Sequence, residues 1–186
     1  MDDRLAEFVR MLQDQGESGA YLGRLNPMHL GHQALGEVLT TAFPTSHLML
    51  VGSCSHLISI RHLFKFSDRY KFINTVFPNA RIAPLADYES DDDWFHAIDV
   101  ILRLAGLDPA KTVFIGGCDE DVHFLQSHGY KVQIINRFDG TTTNVSGTEI
   151  RDALIHGRSL DGLLDPKIIP LVQETFCVRW AEAVRR

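Results

Sequence analysis

Five short apolar runs separated by longer amphipathic stretches restrict the fold of this chain more than any other feature. The runs lie near Ala20 to Gly23, His47 to Gly52, Arg81 to Leu85, Thr112 to Gly116 and Lys131 to Ile135, each of strand length. The stretches between them, about Leu30 to Thr41, Ser67 to Phe77, Asp92 to Leu104 and Asp119 to Ser127, are long enough for crossover helices. Strands joined in this way return parallel, because only a connection of that length can cross a sheet. The expected fold class is α/β, with a single doubly wound parallel sheet. Leu5, Phe8, Val9 and Leu12 add a helix before the first strand, and Ile168, Ile169, Leu171, Val172, Phe176 and Trp180 a closing helix or helix pair. With 186 residues, 45% hydrophobic and 23% charged, and no repeat, low-complexity run or linker, residues 1–186 read as one domain.

Sheets of this kind bind ligands at the carboxyl ends of their strands. The first strand empties into Gly23-Arg24-Leu25-Asn26-Pro27-Met28-His29-Leu30-Gly31-His32. Pro27 fixes its own φ and pushes Asn26 to extended conformations. Gly31, lacking Cβ, lets a phosphate approach the backbone. Leu30, Ala34, Leu35, Val38 and Leu39 then recur at helical spacing, so the free amides of a helix start face the same space. His29 and His32 project from one side of that turn and can donate to phosphate oxygens that gain charge in a transition state. An isolated H-x-x-H is equally a capping histidine beside a surface one. With no Cys, Asp or Glu at ligand spacing, the pair does not read as a metal site.

A second stretch, Asn144-Val145-Ser146-Gly147-Thr148-Glu149-Ile150-Arg151, follows the polar loop Asp139 to Thr143, and Ile150, Leu154 and Ile155 begin another amphipathic helix. Ser146 with Glu149 three residues on reads as a capping box, which is often no more than a helix start. Here Gly147, Thr148 and Arg151 share the turn, so amides, hydroxyls and a guanidinium converge where a polyphosphate tail can lie.

Composition narrows the partners. The net charge of −6 argues against nucleic-acid binding by the whole surface, while Arg24, Arg61 and Arg151 suffice to attract a small anion. No apolar run approaches the ~18 residues of a membrane span, and Met1-Asp2-Asp3-Arg4 lacks the features of a signal peptide, so a cytoplasmic chain with no membrane partner is expected. Cys54, Cys118 and Cys177 are scattered and odd in number, which favours reduced thiols over a disulfide framework or a zinc cluster. Association into a homo-oligomer is left open.

The two phosphate stretches together resemble the HxGH nucleotidyltransferases, and within them the archaeal-type nicotinamide-mononucleotide adenylyltransferases, whose Rossmann-like fold matches the expected sheet. The family's opening motif reads approximately GRxQPxHxGH, and Gly23 to His32 follows it except at Asn26. Gly52-Ser53 with Ser59-Ile60-Arg61, Phe64 and Arg69 is similar to a second block. Pro84 to Tyr88 followed by Trp94 is similar to a third, and Ser146 to Arg151 to the SGTxxR helix start. The resemblance implies joining of nicotinamide mononucleotide to ATP, giving NAD and pyrophosphate. His29, His32, Arg24 and Arg151 would act on the reacting phosphates, and Gly23, Gly31, Ser146, Gly147 and Thr148 would hold the triphosphate. Arg61, Asp87 and Trp94 would hold the mononucleotide, and Mg²⁺ would be bound mainly through phosphates. The chain departs from the family after the fourth strand, where Gly116-Gly117-Cys118-Asp119-Glu120 stands in place of Asn-Pro, so adenine contacts are assigned to no side chain. Nothing resembles a Nudix box. Other acceptors such as pantetheine phosphate or FMN, CTP in place of ATP, and a non-catalytic nucleotide-binding regulatory module are the competing readings.

Overall fold

The structure, a computed structural model, describes residues 3–135 and 145–185. The polar loop Asp139 to Thr143 and Asn144 lie outside the described residues. The strands are β1 (Ser18–Gly23), β2 (His47–Val51), β3 (Ile82–Pro84), β4 (Thr112–Gly116) and β5 (Lys131–Ile134), and the helices α1 (Asp3–Gln15), α2 (Leu30–Ala42), α3 (Phe66–Val76), α4 (Asp91–Leu104), α5 (Asp119–Ser127), α6 (Gly147–Ile155) and α7 (Ile169–Ala183). The sheet is parallel throughout, in the order β3-β2-β1-β4-β5, so the chain winds outward from β1 in both directions and the strand order reverses between β1 and β4.

Side chains alternate along each strand between two apolar layers, as a two-residue period requires. Tyr21, Met49, Val51, Val113 and Ile115 pack with residues of α1, α2, α3, α6 and α7, among them Leu12, Leu35, Phe72, Ile150 and Val172. Ala20, Leu48, Leu50 and Phe114 face α4 and α5 through Phe95, Ile98, Leu102, Val122 and Leu125. The doubly wound sheet expected from the alternation of runs is the one observed. Among the described residues no helix is long and apolar enough to cross a membrane.

The bounds of β1 and β3 differ most from the sequence reading. β1 starts two residues early because Ser18, though polar, pairs in the buried interior with Thr112 (Oγ to Oγ1, 2.8 Å). β3 shrinks to three residues at the sheet edge and ends on Pro84, whose nitrogen faces away from β2, while the Leu85 amide beyond it still donates to the Val51 carbonyl at 2.9 Å. The closing segment forms a single helix, α7, the first of the two forms expected for it.

α7 is fastened to α3 by an ion pair between the partly buried Arg179 and the buried Asp68. Arg179 donates from Nε and Nη2 to the two carboxylate oxygens of Asp68, at 2.7 and 2.9 Å, and Asp68 Oδ2 also accepts from the Lys65 amide to cap α3. Asp68 is 5% exposed, so these donors stand in for the water its carboxylate gives up. Replacing Arg179 by Met is expected to strand that charge and cost about 3 kcal/mol, lowering Tm by roughly 6–12 °C in a thermal melt. An unchanged Tm would show the pair to be dispensable.

Candidate active site

The chain turns sharply where it leaves β1. Leu25 adopts a left-handed backbone (φ 49°), its side chain tucked into the core at 1% exposure. Asn26, at the position where the motif departs from its relatives, is also buried: its Nδ2 donates to the Phe64 carbonyl and its Oδ1 accepts from the Phe64 amide, both at 3.1 Å. The amide of Asn26 therefore zips the β1 loop to the segment preceding α3. Its unusual identity was the one sign of this in the sequence.

His29 then caps α2. Its Nδ1 accepts from the His32 amide, while His32 Nδ1 accepts from the His29 amide, each at 3.3 Å, and the rings stack with centroids 3.5 Å apart. This is a capping box built from two imidazoles. Because each Nδ1 accepts, the neutral ring carries its proton on Nε2, so the cap selects the tautomer that offers an Nε2 donor. Gly31 sits buried in the same first turn.

The second motif starts α6. Ser146 Oγ accepts from the Glu149 amide at 3.1 Å, and Val145, just before it, is buried in the core. Arg151, one turn later, reaches back across the molecule: Nη1 donates to the Asn26 carbonyl at 2.9 Å and Nη2 to Thr148 Oγ1 at 3.0 Å, so residues 125 apart in the chain touch. Gly147 permits this approach, since a Cβ there would stand 3.0 Å from Arg151 Nη1 and 3.4 Å from the Asn26 carbonyl oxygen.

These groups surround a cleft of about 370 Å³ at the carboxyl end of β1, lined by Gly23, Arg24, His29, His32, Arg61, Ser146, Gly147, Thr148 and Arg151 together with Tyr21, Leu22, Leu25, Asn26 and Val145. Among the described residues, three guanidiniums and two imidazoles line it and no carboxylate does. Burial lowers the pKa of Arg151, and the like charges of Arg24 and Arg61 lower it further. Cations held together against their own repulsion form a site for an anion carrying several negative charges. Among the described residues no group of three or more His, Cys, Asp or Glu could hold a metal ion, and the cleft's nitrogen donors do not suit Mg²⁺, which takes oxygen ligands.

Asp87 and Trp94 line a different cleft, of about 420 Å³, with Tyr88, Asp91, Phe95, Phe124, Ser127 and His128. The sequence reading grouped Arg61 with these two, whereas the structure sets Arg61 with Arg24 and Arg151. Trp94 packs edge-on to Phe95 (centroids 5.0 Å, 87°) and tilted against Phe124 (5.4 Å). The loop of residues 53–65 runs between the clefts. The Ser55 amide donates to Asp87 Oδ2 and the Asp87 amide to Ser55 Oγ, both at 3.2 Å, and His56 lies 3.5 Å from Asp87 while stacking on His62. Burial, with His56, Arg24 and Arg61 nearby, lowers the pKa of His62.

Gly116, which ends β4 just ahead of the stretch that departs from the family, serves packing. A Cβ on Gly116 would lie 2.3 Å from Val122 Cγ1, so glycine lets α5 settle on the sheet.

Comparison with known proteins gives three findings. A family model described as cytidylyltransferase-like matches residues 20–153. A nicotinamide-nucleotide adenylyltransferase of Halorubrum lacusprofundi is 21% identical over 173 residues, covering 90% of this chain and 91% of that protein. A bifunctional NMN adenylyltransferase/ADP ribose pyrophosphatase of Francisella tularensis is similar in two crystal structures. The complex with AMP and a manganese ion has a TM-score of 0.67, 19% identity and 91% coverage of this chain. The other has a TM-score of 0.70, 17% identity and 90% coverage. This chain spans only about half of the Francisella protein, 52% and 53% in the two structures.

Proposed function

The chain belongs to the cytidylyltransferase-like family and is a nucleotidyltransferase, and from that premise we propose that it transfers the adenylyl group of ATP to nicotinamide mononucleotide, forming NAD and pyrophosphate. The observation that carries this reading is the convergence of Arg24, Arg61, Arg151, His29 and His32 on one cleft at the head of β1. In the reaction an oxygen of the mononucleotide phosphate attacks the α-phosphorus of ATP. The new P–O bond forms as the bond to the β-phosphate oxygen breaks, and pyrophosphate leaves with the electron pair. Such a transfer needs placement and charge neutralisation more than covalent help from the protein.

His29 and His32 donate from Nε2 to the α- and β-phosphates. Arg24 and Arg151 neutralise the triphosphate, with Gly23, Gly147, Ser146 and Thr148 shaping its bed, and Arg61 meets the mononucleotide phosphate, while Gly31, expected from the sequence in that bed, is buried in α2 outside the lining. Mg²⁺ fits as an ion carried by phosphate oxygens and water, and it would offset charge on the leaving pyrophosphate. Both the Halorubrum relative and the Francisella proteins are named for this adenylyl transfer, and one Francisella structure holds AMP and a divalent ion.

The cleft of Asp87 and Trp94 supports the nicotinamide end of the acceptor. An indole beside two carboxylates, Asp87 and Asp91, favours a cationic pyridinium. The same carboxylates oppose the extra negative charge of a nicotinic acid ring. An assay coupling NAD formation to an added dehydrogenase, run beside direct pyrophosphate detection, tests the reading. The expected outcome is ATP-dependent NAD formation, with kcat/KM for the nicotinamide form at least about tenfold above that for the nicotinic acid form. Pyrophosphate release only with another acceptor, or with CTP in place of ATP, would overturn it. Trp94→Ala is expected to raise KM for the mononucleotide by about tenfold and to leave KM for ATP nearly unchanged. Equal losses for the two substrates would make Trp94 a packing residue.

A further inference from the structure

The loops that carry the cationic cleft are held from behind by a buried arginine outside its lining. Arg69, in the first turn of α3, is 1% exposed. Its Nη1 donates to the carbonyl oxygens of Arg24 (2.6 Å) and Gly52 (2.7 Å), and its Nη2 to the Ser53 carbonyl (3.2 Å) and Cys54 Sγ (3.3 Å). One guanidinium therefore ties together the carboxyl ends of β1 and β2. Leu25 (φ 49°) and Ser53 (φ 53°), the residues that follow the pinned carbonyls of Arg24 and Gly52, both take left-handed backbone conformations that L residues adopt only when surroundings hold them.

The direction of the carbonyls matters for chemistry. A carbonyl oxygen only accepts, so one turned toward the cleft would repel a phosphate and compete for the side-chain donors there. Arg69 takes up three such oxygens, and Arg151 takes the Asn26 carbonyl in the same way from the cleft side. The backbone of Arg24 is thereby fixed with its side chain on the cleft. Burial opposes the charge on Arg69, which marks a group kept for its hydrogen bonds rather than for solvation.

We propose that Arg69 is a positioning residue of the anion cleft, which withdraws the carbonyl oxygens of Arg24, Gly52 and Ser53 from the phosphates and so sets Arg24 in place. The inference rests on reading the cleft as a polyphosphate site. Its test is the binding of inorganic tripolyphosphate by calorimetry, measured on wild type, R69K, R69A and, as a control for lost stability, V172A, which opens the core at a residue outside the cleft's lining. Lysine keeps the charge but cannot span three carbonyls with a planar fork. R69K is expected to remain folded by circular dichroism and to lose at least about tenfold in tripolyphosphate affinity, whereas V172A keeps wild-type affinity. In R69A, millimolar methylguanidinium is expected to restore binding and methylammonium is not.

A folded R69K that binds tripolyphosphate within about twofold of wild type would overturn the inference alone. So would a V172A loss equal to that of R69K. Failure of both Arg69 variants to fold would also overturn it, since the arginine would then be a group of the fold. Wild type that binds no tripolyphosphate would remove the reading of the cleft, and this inference with it.

Discussion

Replacing His32 by Ala is expected to lower turnover by at least ~10²-fold, the scale of losing one donor aimed at developing charge. The loss should fall on kcat and kcat/KM about equally, with KM for ATP little changed, because the donor acts on charge that grows as the leaving bond breaks. Stability should change little: alanine suits the third position of a helix, and the bond that His32 Nδ1 accepts from the His29 amide is a 3.3 Å contact. His29→Ala is less clean, since it removes the cap of α2 as well. A His32→Ala enzyme with near-normal kcat would take this imidazole out of the chemistry.

Replacing Arg151 by Ala should lower kcat/KM by about 10²- to 10³-fold, with part of the loss in ATP binding. Arg151 serves the cleft twice. It adds positive charge where Arg24 and Arg61 already face the ligand, and it draws the Asn26 carbonyl away from it. Arg151→Lys should recover only a fraction of the activity, because an ammonium cannot bridge Asn26 and Thr148 while also offering a flat pair of donors to phosphate. Raising salt should weaken ATP binding in wild type more than in Arg151→Ala, since fewer cations remain to be screened. Full activity in Arg151→Lys would reduce the role of this residue to charge alone.

The extent to which sequence sufficed varies with the range of the interactions involved. The period of apolar residues marked the strands and helices, and the crossover lengths dictated a parallel sheet, because those signals lie within ten to twenty neighbouring residues. His29, His32, Ser146 and Arg151 stood out through motifs confined to one helix turn each. β3 is shorter than its apolar run suggests, because its place at the sheet edge emerges only from the strand order. Ser18 and Thr112 each look like polar termini until the two hydroxyls are seen to satisfy each other.

What the chain encodes locally is the chemistry on offer: glycines and imidazoles at one helix start, hydroxyls and a guanidinium at another, and the alternation that builds a doubly wound sheet. Which groups share a cavity depended on packing. The 53–65 loop carries Arg61 to the cleft of Arg24 and Arg151, and leaves Asp87 and Trp94 to line another. Asn26 and Arg69 gain their significance only from carbonyls and amides distant in the chain. The reason is physical: a buried polar group must find its partners wherever the fold brings them, and the spacing of residues along a sequence carries no record of that distance.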